Sequence, residues 1–189
     1  GSGGTLSAHG GRSTSRSGGA LSLSSGEGTA TTSGGVVIRS ANGGSGGSSG
    51  MLVFSSGSSS TGNSGLINIG TGASTAGRGG EVMISVGSGT SGSGGFLSAH
   101  AGRSTVTTGG SLSLDSGEGT ATTSGDVFIR SVNGGTSGGS GMLVFSSGIS
   151  TAGNSGDIRI GSGAATKGRS GVIMVSVGSG TSGSGGMLI

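Results

Sequence analysis

The chain has no cysteine, proline, tryptophan or tyrosine, and only 8% of its residues are charged. Without cysteine there is neither a disulfide framework nor a thiolate metal site. Without proline and a Gly-X-Y period a collagen triple helix is excluded. Aromatic residues make up 2% of the sequence, which leaves no platform for stacking nucleic-acid bases. The net charge of +3 comes from nine Lys and Arg against six acids scattered along the chain, too dilute for the dense basic stripe that nucleic acid requires. No apolar run approaches bilayer length and no signal-peptide pattern opens the sequence, so no membrane span is expected.

What is present is glycine, 52 residues of 189, with Ser and Thr supplying much of the remainder. Such composition ordinarily means disorder. Two features oppose that: the net charge is low, and Leu, Ile, Val, Met and Phe are kept in short, evenly spaced clusters.

The first apolar anchors of successive clusters are Leu6, Leu21, Val36, Leu52, Ile67, Val82, Leu97, Leu112, Val127, Leu143, Ile158, Ile173 and Leu188. The steps are 15 residues, except for steps of 16 from Val36 to Leu52 and from Val127 to Leu143. These cross the glycine-rich stretches "ANGGSGGSSG" and "VNGGTSGGSG" and occupy equivalent places in a larger 91-residue unit. The super-repeats are 5–95 and 96–186. Together they read as one continuous array over 1–189, an interior section of a longer one.

Most anchors are followed two positions later by a second apolar residue, a period of two that predicts a strand. Glycine five and thirteen positions after most anchors predicts two turns at which positive φ is taken up. Thr recurs eight after the anchor, at Thr14, Thr29, Thr75, Thr90, Thr105, Thr120, Thr151, Thr166 and Thr181. The expected fold is all-β: a flattened parallel β-solenoid of about 15 residues per coil with two short strands in each. Two inward aliphatics cannot offset the entropy of ordering one coil, so coils must stack. The inward ladder is Leu21 and Leu23, Val36 and Ile38, Leu52 and Phe54, Ile67 and Ile69, Val82 and Ile84, Leu112 and Leu114, Val127 and Ile129, Leu143 and Phe145, and Ile158 and Ile160. Stacking also puts Arg12 beside Glu27, Arg103 beside Glu118 and Asp115 beside Arg130.

The stretch "GMLVFSSG", at 50–57 and 141–148, has apolar residues on both faces of its strand. With the ladder inward, Val37, Met51, Val53, Leu66, Met83, Phe96, Phe128, Met142, Val144, Val172 and Met174 face outward. A contiguous apolar stripe of that kind exceeds what a monomer normally exposes. It predicts lateral packing against another copy or segment.

Sites for chemistry are sparse. "GSGTSG" at 87–92 and 178–183 matches a dinucleotide-binding fingerprint, but no helix can follow it through "SGG". His9 and His100 stand six coils apart, roughly 29 Å at strand spacing, too far to share a metal or a proton. The turns offer Ser and Gly where calcium-binding solenoids need Asp. None of the five Asn lies in an N-x-S/T sequon, whereas the many Ser and Thr make O-linked glycans candidate additions. No catalytic residue, metal or cofactor is expected, and no enzymatic activity.

Units such as "SGLINIGTG" and "SGDIRIGSG" resemble those of Gly/Ser/Thr-rich β-solenoid repeat proteins of cell surfaces and extracellular fibres, and of algal-type Ser/Gly repeat proteins. The resemblance covers the whole chain. It implies a structural, self-assembling filament, continued end to end and packed laterally, located outside the cell or on its surface. An ice-binding solenoid presenting a Thr ladder and the shaft of an adhesin or viral fibre are the alternative functions. An ice-binding array is flat and carries a regular T-x-T pattern, whereas here T-x-T occurs only as Thr29 with Thr31, Thr105 with Thr107 and Thr120 with Thr122.

Overall fold

A glycine-rich backbone forms its hydrogen bonds where the chain returns to itself soonest, because closing a short loop costs less entropy than closing a long one. The computed structural model of the protein describes residues 3–189. The chain divides into two units, Gly1–Phe96 and Leu97–Ile189, close to the super-repeat boundary.

In the first unit the backbone bends at residues 14–16, 29–31, 45–47, 60–62, 75–77 and 90–92. In the second it bends at 105–107, 120–122, 136–138, 151–153, 166–168 and 181–183. The residue eight after the anchor opens these bends in every 15-residue repeat. The two 16-residue repeats accommodate their extra residue at 45–47 and 136–138, where Gly47 N donates to Gly44 O at 3.1 Å and Gly138 N to Gly135 O at 3.3 Å.

Below several bends the chain pinches into a neck. Gly19 N donates to Gly11 O at 2.7 Å and Gly34 N to Gly26 O at 3.0 Å in the first unit. Gly110 N donates to Gly102 O at 2.9 Å, Gly125 N to Gly117 O at 3.0 Å and Gly186 N to Gly178 O at 3.4 Å in the second. These are the glycines five and thirteen after the anchor. They do not mark two separate turns, as the sequence suggests; they face one another across the base of a single loop. Nor is positive φ the reason for glycine, since no described residue has it. The reason is close approach. A Cβ on Gly34 would sit 3.3 Å from the Ser25 Cβ, one on Gly171 3.2 Å from the Ser162 Cβ, and one on Gly95 would collide with Val86 Cγ1.

The β-solenoid expected from the sequence does not form. Among the described residues there is no helix and no β-strand, so the two strands per coil and the parallel sheet both fall away. A parallel stack requires hydrogen bonds between residues one repeat apart. Here the longest side-chain bonds, Ser25 Oγ to Gly34 O and Thr71 Oγ1 to Gly80 O, span nine positions, and the neck bonds span eight. Among the described residues these bonds close within a repeat, and none joins residues one repeat apart.

No described residue forms a buried core. Every side chain assigned to the inward ladder, from Leu21 and Leu23 through Ile158 and Ile160, is exposed. The chain presents 18518 Å² to solvent. A folded monomer of this mass presents about 7,800 Å² and an unfolded one roughly 25,000 Å².

Candidate assembly surface

The residue seven after the anchor is Ser or Gly at every bend but one, where it is Ala165. At four of the Ser positions the hydroxyl accepts from the backbone three residues on. Ser13 Oγ takes Arg16 N at 3.0 Å, Ser59 Oγ takes Gly62 N at 3.0 Å, Ser104 Oγ takes Thr107 N at 2.9 Å and Ser150 Oγ takes Gly153 N at 3.0 Å. Where it is Gly, the chain turns too tightly for a side chain: a Cβ on Gly28 would lie 2.5 Å from Thr32 O, and one on Gly43 2.5 Å from Gly47 O. The Ser59 bond is exposed, so water replaces it readily. We expect Ser59→Ala to speed amide exchange at Gly62 by about threefold to tenfold, the range set by one net hydrogen bond, with other bends unaffected; NMR-detected exchange checks this.

Exposure varies along the apolar clusters. Leu52 is 47%, Ile67 48% and Leu143 47% exposed, while the preceding Met51 is 86%, Leu66 88% and Met142 85% exposed. The alternation expected from a period of two is not kept, since Phe54 at 64% is as exposed as Val53 at 62%, and Ile69 is 72% exposed. The outward set, Val37, Met51, Val53, Leu66, Met83, Phe96, Phe128, Met142, Val144, Val172 and Met174, is open to solvent throughout.

Among the described residues, apolar hollows interrupt this surface in both units. In the first unit a hollow of about 400 Å³ is lined by Phe54, Ile67, Asn68 and Ile69. In the second, a hollow of about 380 Å³ is lined by Phe145, Ile158, Arg159 and Ile160. Each lies between the residue two after one anchor and the next anchor pair, and the four positions correspond across the 91-residue repeat. A smaller polar recess of about 170 Å³ follows Arg130, Ser131, Val132 and Asn133.

Charged groups contribute little geometry. Among the described residues the one ion pair is Arg159 Nη2 to Asp157 Oδ2 at 3.0 Å, with both side chains largely in solvent, where such pairs are weak. The pairs expected from stacking, Arg12 with Glu27, Arg103 with Glu118 and Asp115 with Arg130, are not formed. His9 Nε2 lies 2.8 Å from Ser7 Oγ, and His100 Nε2 is hydrogen-bonded to Ser98 Oγ. Each is a local contact two residues apart. Among the described residues no three His, Asp or Glu groups converge as they would around a metal ion. No helix there is long and apolar enough to cross a membrane.

No protein-family model matches the chain, and no curated protein or solved structure is significantly similar to it.

The two hollows are the feature that reading the sequence alone misses. The signal was available: phenylalanine stands two after the anchor only at Phe54 and Phe145. The Thr residues eight after the anchor open exposed bends, so there is no flat sheet on which they could form a regular ladder.

Proposed function

We propose that this protein is a structural element that assembles with copies of itself into filaments, using its periodic apolar side chains as the adhesive surface. The supporting observation is the pairing of an 18518 Å² exposed area with apolar side chains that recur every 15 residues and lack cover within the chain. Exposed apolar side chains favour association, since burial is favourable in proportion to the apolar area covered. Local loops held by necks keep the anchors spaced, so that one copy presents a repeating face to another. Little charge opposes the approach, because nine cations and six anions are spread over the full length.

The bends carry the polar inventory. Thr14, Thr29, Thr75 and their counterparts stand exposed at the bends, where they are accessible acceptors for O-linked glycans. A place outside the cell or at its surface belongs to the same proposal. Nucleic acid, a cofactor and catalysis have no part in it.

Sedimentation velocity across a hundredfold concentration range, with negative-stain microscopy of the same samples, tests the assembly. Filaments are expected above a threshold concentration. Replacing Val53 and Val144 with Lys should raise that threshold at least tenfold, because each charge must be desolvated at the contact. A chain that stays monomeric throughout, or a double-Lys variant that assembles like the parent, would end the proposal.

A further inference from the structure

Five asparagines occur in the chain, and two of them are followed by glycine: Asn42 before Gly43 and Asn133 before Gly134. The two pairs are 91 residues apart and stand just before the bends at 45–47 and 136–138, those of the 16-residue repeats. Packing requires glycine at both. A Cβ on Gly43 would lie 2.5 Å from Gly47 O, and one on Gly134 would collide with Gly138 O. The same missing Cβ leaves the backbone nitrogen of each glycine open to the side-chain amide carbon of the asparagine before it. Both asparagines are exposed. Among the described residues neither Gly43 N nor Gly134 N donates a backbone hydrogen bond.

We propose that Asn42 and Asn133 are self-modification sites, which convert to aspartyl and isoaspartyl residues through a cyclic imide with water as the co-reactant. Gly43 N gives its proton to hydroxide and attacks Asn42 Cγ. The N–Cγ bond forms, the Cγ–Nδ2 bond breaks, and the side-chain nitrogen leaves as ammonia after taking a proton from water. A further water opens the ring. Addition at Cγ breaks the new N–Cγ bond and leaves aspartate. Addition at the main-chain carbonyl carbon of Asn42 breaks the original peptide bond, so that the chain runs on through Cγ as an isoaspartyl link, one methylene longer. Asn133 reacts with Gly134 in the same way.

Negative charge develops along this route, and Arg130 lines the same polar recess as Asn133. Arg39 stands at the equivalent spacing before Asn42. The remaining asparagines differ at the position that decides ring closure. Asn63 and Asn154 precede Ser, and Asn68 precedes Ile69, whose side chains crowd the attacking nitrogen, the branched Ile69 most of all. Each conversion adds one carboxylate, so the two together lower the net charge from +3 to +1. Because the released ammonia is lost, the change accumulates with time and marks the age of the chain at two equivalent bends.

The test holds the full chain in neutral and in mildly alkaline buffer and maps its peptides at intervals by mass spectrometry, with aspartyl and isoaspartyl products separated by chromatography. Asn42 and Asn133 should convert about tenfold faster than Asn63, Asn68 and Asn154, a barrier difference of one power of ten in rate. Both products should appear, and the rate should rise with hydroxide concentration. Arg130→Gln should slow Asn133 by roughly 1.5-fold to fivefold, the range that an exposed ion pair supplies, with Asn42 of the same molecule as the unchanged reference. Equal rates at all five asparagines, or no conversion at Asn42 and Asn133, would overturn the proposal. An unchanged rate in Arg130→Gln would overturn the part given to the guanidinium.

Discussion

A urea titration of the dilute, unassembled chain, followed by far-UV circular dichroism, yields a sloping line without a sigmoidal step. Cooperative unfolding requires a core whose loss exposes a large area at once, and the denaturant slope scales with that area. Here 18518 Å² is already exposed, against roughly 25,000 Å² for an unfolded chain and about 7,800 Å² for a compact one. The area left to expose is therefore roughly a third of what a compact domain of this size would release. The neck bonds open one by one, each without consequence for its neighbours. A sharp transition with a slope of about 1–3 kcal/mol per molar urea would show that a core exists.

Replacing Gly28 with Val opens the loop it belongs to. A Cβ there would lie 2.5 Å from Thr32 O and 2.7 Å from the Thr32 carbonyl carbon. These are backbone atoms that cannot move aside without undoing the bend at 29–31. The bond from Gly34 N to Gly26 O, 3.0 Å in the native chain, is lost with it. Freed of the bond, a segment of eight steps relaxes toward a separation of about 16 Å between its ends. Spin labels on cysteines introduced at Glu27 and Ser33 should report this widening by electron-electron distance measurement, and the absence of native cysteine makes the labelling unambiguous. The equivalent change at Gly119 should do the same in the second unit, whereas Gly26→Val should be mild, since its Cβ would meet nothing within 4 Å. A distance unchanged in Gly28→Val would mean that the neck does not depend on the bend.

Much of the local plan was legible in the sequence. The 15-residue step gives the spacing of the bends, and the longer steps after Val36 and Val127 give the two that differ. Glycines at five and thirteen after the anchor are the residues that meet at the necks. Spacing alone predicts two turns there, because a glycine in a sequence looks the same whether it supplies an unusual φ or merely lacks a Cβ. Only the partner atom distinguishes the cases, and here the partners are backbone and side-chain atoms across the neck, such as Ser25 Cβ beside Gly34.

The stacked sheet failed for a different reason. A period of two over Leu21 and Leu23, or over Ile67 and Ile69, says which side chains would share a face in a strand, but Leu23 and Ile69 are as open to solvent as residues on the other face. The period does not say that anything covers the face. Stacking competes with closure inside the repeat, and the same Ser and Gly that could have lined a coil instead bond to residues nine or fewer positions away.

The necks also bear on how the chain responds to tension. Each closed loop hides the backbone between its two glycines, so a pull on the ends first straightens the open segments and then breaks the clasps singly. Every rupture would release on the order of 20 Å of slack at the expense of one weak bond that can re-form on relaxation. A thread made this way lengthens in small reversible increments and dissipates work at each, so that its toughness comes from many minor yields distributed along its length.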